Sequence, residues 1–172
     1  MARVPLADLD PSDPAMETIR AYFAGREMPE IYRTLANAPR LLRAWTDLAW
    51  PLRNEVLVPR GLRELAIMRV AQLTGTLTEW HAHAPLALQH GVTRRQLDEL
   101  DGWHLSEAFD DVEQEVLALT DQVTVDVAVD DATFALLAAR WSPQELVEIT
   151  LTVAFYCCVS RFLRAFEIQP SQ

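Results

Sequence analysis

The chain has 172 residues, half of them apolar, so a single folded domain burying roughly 70% of its unfolded surface is expected rather than a disordered chain. Acidic residues number 25 against 15 basic ones, a net charge of −10, which excludes the basic face that nucleic acid or an anionic membrane requires. All 15 basic residues are arginine, and the absence of lysine excludes Schiff-base, P-loop-lysine and lysine general-base mechanisms.

Residues 1–20 carry four acids and no apolar h-region, so they do not read as a signal peptide. Seven of the ten prolines, Pro5, Pro11, Pro14, Pro29, Pro39, Pro51 and Pro59, fall before residue 60, which predicts short helices joined by turns near 14–24, 29–36 and 39–49. Longer helices follow near 59–74, 76–90, 93–100, 110–124, 131–140 and 143–166. Gly25, Gly75, Gly91 and Gly102 each follow a stretch of good helix formers and read as left-handed helix stops. Pro85 inside 76–90 predicts a kink or a break there. Thr93 to Gln96 and Ser142 to Glu145 have the pattern of capping boxes, the second with proline at the first helical position. Val112, Val116, Leu119 and Val123 repeat at helical spacing. Val123, Val125, Val127 and Val129 alternate as a strand would, but an isolated strand has no partner, so a helix end running into an extended connector is predicted.

The last helix, 143–166, is apolar nearly all round, which places it in the core or at a subunit interface. Glu148, Thr150 and Thr152 interrupt its apolar run well before membrane-spanning length. The architecture predicted is all-α, one domain over 1–172: short N-terminal helices in 1–50, a helical hairpin in 58–92 and the long apolar C-terminal helix.

Chemistry concentrates in the hairpin. Glu79 and His83 are four apart and therefore adjacent on one helix face. A carboxylate beside an imidazole fixes its tautomer and raises its basicity, as a general acid or base near neutral pH requires. Trp80, Leu86 and Ala87, the other helical neighbours of His83, give it a mostly apolar setting and partial burial. Glu64 on the first helix has Ile67, Met68 and Ala71 as helical neighbours. It is either a functional acid in an apolar pocket or the partner of Arg60 on a solvated face. Glu64, Glu79 and His83 are the candidate catalytic set. Trp80 and Arg161 are the candidates to contact substrate, Arg161 because an arginine set among Val159, Phe162 and Leu163 needs a glutamate or an anionic ligand. His81 lies about 200° around the helix from His83, and no second pair of ligands accompanies Glu79 and His83, so no metal site is expected. His90 reads as a helix C-terminal cation and His104 as a loop residue. Cys157 and Cys158 are neighbours about 3.8 Å apart, too close for an ordinary disulfide. They read as small residues of an apolar helix in a protein of the reducing cytoplasm.

Leu62 through Ala71, followed by Gly75, Glu79-Trp80, His83, Ala87 and Gly91-Val92, resembles the carboxymuconolactone decarboxylase-like family of the alkylhydroperoxidase D superfamily. The ending Phe155-Tyr156 through Arg161-Phe162-Leu163 resembles the last helix of its longer members. The resemblance implies an all-α fold whose central helical hairpin carries the active site, and assembly into trimers or hexamers. The peroxidase branch places a Cys-x-x-Cys where this chain has Thr76 and Glu79, with its histidine matched by His83 and its upstream relay glutamate by Glu64. The lactone decarboxylases have a Glu-x-x-x-His that Glu79 and His83 match, but they are shorter, and the first fifty residues here are extra. The expectation is a cofactor-independent lyase, decarboxylase-like, or an isomerase acting on a small carboxylated lactone or carbonyl compound, with no nucleic-acid or membrane partner. Peroxidase activity, which lacks its cysteines, and a non-catalytic binding or assembly protein are the alternatives.

Overall fold

The computed structural model describes residues 2–10, 12–13, 16–25 and 27–170, and among them there is no strand. Helices α1 (Glu17–Tyr22), α2 (Glu30–Leu35) and α3 (Pro39–Asn54) form the N-terminal third. The hairpin is α4 (Arg60–Thr74) and α5 (Leu77–Gln89). Helices α6 (Arg94–Glu99), α7 (Asp111–Asp121) and α8 (Asp131–Arg140) then lead to α9 (Pro143–Phe166). The expected turns at Pro11 and Pro14, and the first two residues of the expected 14–24 helix, lie outside the described residues.

Local chemistry accounts for most of the boundaries. Both capping boxes form: Thr93 accepts from the Gln96 amide, and Ser142 accepts from the Glu145 amide. A third, Asp110 with Glu113, opens α7 in the same way. Gly75 ends α4 at φ 63°, and Gly25 and Gly91 also have positive φ.

Four expectations fail for identifiable reasons. Gly102 is not a left-handed stop; it sits at φ −104° inside a 3-10 turn, Leu100–Leu105. Helix α3 runs past its expected end to Asn54 and contains Pro51. Helix α5 likewise continues through Pro85, where the lost hydrogen bond is to the carbonyl of His81; both residues are exposed, so water can replace the missing donor. The 123–129 connector is not extended: Gln122–Asp126 widens into a π-helical turn and Val127 takes φ 59°.

Helix α4 is the centre. Every residue from Arg63 to Ala71 is buried, and α4 packs against α5, α7 and α9. One apolar cluster joins α3, α4, α7, α8 and α9, a second lies between α4, α5, α6 and α7, and a third holds Met16, Ile19, Tyr32, Leu35 and Leu42 together. Helix α9 has the mean hydropathy of a membrane span, 1.6 over 18 residues, but 56% of that window is buried inside the fold, as expected for a core helix.

The hairpin is pinned at both ends. A Cβ on Gly61 would lie 2.6 Å from the carbonyl oxygen of His90, so the start of α4 meets the end of α5 at backbone contact. At the turn, Arg164 of α9 donates to the carbonyls of Thr74 (2.8 Å) and Gly75 (3.0 Å), supplying donors to the C-terminal end of α4.

Charges on a helix buried all round require partners inside the protein. Arg63 donates to the carbonyls of Val58 (2.9 Å) and Leu52 (2.6 Å), while Glu148 of α9 accepts from the amides of Leu57 (2.6 Å) and Val58 (3.1 Å). Together they fix the α3–α4 connection from both sides. Arg69 makes a two-pronged pair with Asp121, at 2.6 and 2.8 Å, and donates to the Leu100 carbonyl at 3.1 Å.

Arg69→Ala is expected to cost about 2 kcal/mol in urea unfolding, because it takes the two-pronged partner from Asp121, which keeps only the Trp103 indole, and the donor from the Leu100 carbonyl. Arg95→Ala, which removes an exposed pair with Glu99, leaves the midpoint unchanged. Equal midpoints for the two variants would refute this account of the core.

Candidate active site

Glu64, Glu79 and His83 converge. Glu64 lies on α4 with no exposed surface, and His83 and Glu79, on α5, are 5% and 8% exposed. The His83 Nδ1 lies 2.7 Å from Glu64 Oε2, and its Nε2 lies 3.5 Å from Glu79 Oε2. The other oxygen of Glu64, Oε1, meets Arg60 at 2.5 Å. Both sequence readings of Glu64 are therefore met in part: it pairs with Arg60, but in the interior rather than on a solvated face.

The two carboxylates are pushed in opposite directions. Burial alone would raise Glu64, but the hydrogen bond and charge of His83, joined by Arg60, outweigh it and hold the group below the ordinary carboxylate range. Glu79 is raised, chiefly by burial, with Glu64 adding to the effect and His83 and Arg53 opposing it. An ionised Glu64 accepts only, so His83 donates Nδ1–H to it and turns Nε2 toward Glu79. The result is a line of proton-holding groups, Glu64 to His83 to Glu79, whose last member is shifted upward by its burial.

Glu79 and His83 open onto a cavity of about 400 Å³. Arg60 and Leu86 of the hairpin also line it, and further walls come from outside the hairpin: Phe23 and Ile31 from the N-terminal helices and their connections, Arg53 from the end of α3, and Ile168 from the C-terminal segment. Behind His83, Tyr156 of α9 sets its ring edge-on to the imidazole, centroids 5.0 Å apart at 88°. Its phenol is pushed up to about 12, first by burial and then by the nearby carboxylates, with Arg53 opposing.

Two expected contacts are not made. Trp80 packs into the second apolar cluster with Leu65 and Met68 and lies away from the cavity wall. It is three residues from His83, yet the helix turns its indole toward α4's other neighbours. Arg161 is exposed and donates to the carbonyl of Cys157 on its own helix at 2.9 Å, so it takes no glutamate and does not line the cavity. Buried Cys157 lies against Thr124, its Sγ 3.4 Å from the hydroxyl oxygen, and Cys158 is exposed; neither lines the cavity. Sequence reasoning missed Arg53, Tyr32 and Tyr156, which reach the site only through tertiary packing. The available signal was an arginine and two tyrosines in otherwise apolar helix faces.

Residues 39–122 match the carboxymuconolactone decarboxylase family. The fold is similar to that of an uncharacterised peroxidase-related protein from Ralstonia eutropha JMP134, described as an alkylhydroperoxidase AhpD core (TM-score 0.81, 18% identity, 99% of this chain and 93% of that one). It is also similar to a peroxidase-related protein from Silicibacter sp. TM1040 (0.78, 18%, 99% and 94%). A third similar structure is the debrominase Bmp8 in complex with 2,3,4-tribromopyrrole (0.79, 19%, 99% and 94%). At these identities the likeness establishes the fold. No curated protein sequence matches the chain.

Opposite pH signatures are expected for the two carboxylates. Glu64, with its pKa lowered in the folded state, contributes stability above about pH 4.3 that is lost as pH falls through its folded value. Glu64→Gln should therefore cost about 3 kcal/mol at neutral pH, with the difference shrinking in acid. Glu79, with its pKa raised, contributes stability that is present at low pH and lost as pH rises through its folded value. Relative to wild type, Glu79→Gln should gain stability as pH climbs from about 4.3. Parallel pH curves in urea titrations of the two variants would contradict the assignment.

Proposed function

We propose that this member of the carboxymuconolactone decarboxylase and alkylhydroperoxidase D-like superfamily is a cofactor-independent acid–base enzyme, a lyase or isomerase acting on a small carboxylated lactone or carbonyl compound. It would work in the cytoplasm as a homo-oligomer, trimer or hexamer. The observation that carries the reading is His83 placed between two buried carboxylates that the protein holds in opposite protonation tendencies. Two carboxyl groups separated in this way are the assignment of an acid and a charge-stabilising partner.

The chemistry follows from that order. When the C–C bond to a substrate carboxylate breaks, carbon dioxide leaves and the electron pair passes onto the adjacent carbonyl or unsaturated system. Glu79, at the cavity surface, donates the proton that carbon then requires. Water entering the cavity after carbon dioxide leaves returns a proton to Glu79, while His83 faces Glu79 with the Nε2 lone pair and Glu64 holds the imidazole in that tautomer by accepting from Nδ1–H. An isomerisation uses the same groups in both directions, with Glu79 returning the proton that it takes.

A thiol peroxidase is less well supported, because Thr76 and Glu79 occupy the cysteine positions of that branch and neither cysteine lines the cavity. A non-catalytic binding protein would gain from exposed, scattered side chains, whereas these are buried and converge. The exposed apolar stripe Val147, Leu151, Ala154 and Cys158, at spacings of four, three and four on α9, supports assembly.

On a panel of lactone acids, His83→Ala should lower kcat about 10² to 10⁴-fold with KM little changed. Activity should fall as pH rises through the raised pKa of Glu79, since the protonated form is the acid, and Glu79→Gln should remove most turnover while Cys157 and Cys158 tolerate alkylation. Equal rates for wild type and His83→Ala would sink the assignment.

A further inference from the structure

The charges around the cavity leave one unaccounted for. Arg60 is matched by Glu64, and His83 lies between Glu64 and Glu79. Arg53, half-buried in the last turn of α3, donates to the Tyr32 phenol oxygen at 3.1 Å, lies beside the Tyr156 phenol, acts on Glu79 only from beyond ion-pair distance, and forms no ion pair with a carboxylate among the described residues. Glu30, the remaining acid of the cavity, is not paired with it either. A guanidinium set in a largely apolar cavity without an anionic partner is costly unless a ligand supplies the anion, and its planar fork suits a carboxylate.

The surroundings fix the shape of that ligand. Phe23, Ile31 and Leu86 supply apolar wall to the cavity that Arg53 shares with Glu79 and His83, and about 400 Å³ accommodates one small ring. Tyr32, 6% exposed, holds one nitrogen of the fork and thereby restricts its orientation. A carboxylate gripped by arginine is stabilised in the ground state, which opposes its loss as carbon dioxide. The carboxylate at Arg53 is therefore one that the substrate retains, and bond-making takes place at the other end, at Glu79 and His83.

We propose that Arg53, oriented by Tyr32, is the anion anchor of the cavity, binding a retained carboxylate on a small apolar or unsaturated ring and so setting which end of the substrate faces Glu79 and His83. The orientation rests on the acid–base reading above; the anion site does not.

Calorimetric titration of the whole protein with benzoate and with benzyl alcohol, its uncharged counterpart, tests the anchor. Wild type should bind benzoate at least 10-fold more tightly than the alcohol. Arg53→Gln should abolish that preference, Arg53→Lys should keep part of it, and Tyr32→Phe should weaken it less than Arg53→Gln. Should Arg53→Gln fail to fold, phenylglyoxal labelling of wild type decides: benzoate, but not benzyl alcohol, should protect Arg53. Equal binding of the two probes by wild type, a preference that survives Arg53→Gln, or labelling of Arg53 indifferent to benzoate would each overturn the proposal. Glu79→Gln separates the two readings, since it should keep benzoate binding while losing turnover. Undiminished turnover in that variant would overturn the acid–base reading and leave the anchor standing, whereas loss of benzoate discrimination in an active wild type does the reverse.

Discussion

The interaction on which this structure turns is the Glu64 carboxylate, fully enclosed and held by Arg60 on one oxygen and His83 on the other. A carboxylate without access to water is tolerated only when its partners are positioned before it ionises. Arg60 stands one turn before Glu64 on α4, and His83 comes from the facing helix, so the register of α4 against α5 is set by that requirement as well as by packing. Gly61 permits the backbone approach that brings the two helices into this register, and the Arg164 contacts hold the opposite end. Arg63 and Glu148, by fixing the α3–α4 connection, place Arg60 and Arg53 relative to the hairpin. Structural and chemical charges on this helix are thus parts of one polar system inside an apolar core.

That system explains why two glutamates near the same imidazole behave differently. Glu64 has two positively charged or donating partners at hydrogen-bonding distance, whereas Glu79 has the imidazole at 3.5 Å and Arg53 acting on it from beyond ion-pair distance. Burial acts on both, and the number and closeness of partners decides the sign of the outcome.

How much of this was legible in the sequence follows from the range of each signal. Gly75, the two capping boxes and the four-residue spacing of Glu79 and His83 are local, and the helices, hairpin and pair appear where they imply. Pro51 and Pro85 do not end their helices, because both sit at exposed positions where water can take up the freed carbonyl. Val123 to Val129 alternates like a strand, yet a π-helical turn and a left-handed Val127 absorb the segment, since the described residues hold no strand to pair with it. Trp80 and Arg161 failed as site residues because helical spacing gives a face but not what that face meets. Of the two arginines set among apolar residues, Arg161 is exposed, whereas Arg53 lines the cavity and forms no ion pair among the described residues. Only the tertiary structure distinguishes an arginine that turns back on its own helix, as Arg161 does, from one directed into a cavity.

The division of labour between segments has a consequence for specificity. The family match, 39–122, contains Glu64, Glu79 and His83 together with Arg53 and Arg60, and so contains the proton-handling groups and both cavity arginines. Phe23, Ile31 and Tyr32 lie before it, and Tyr156 and Ile168 after it. The N-terminal helices therefore act as more than an extension: they close the cavity over the hairpin and orient Arg53 through Tyr32. A change in that segment alters the shape offered to a ligand without touching the carboxylates and imidazole beneath, because the wall meets them only across the cavity. The shape of the cavity thus draws on the family-matched segment, through Arg53, and on the helices before and after it, while the imidazole and its two carboxylates come from that segment alone.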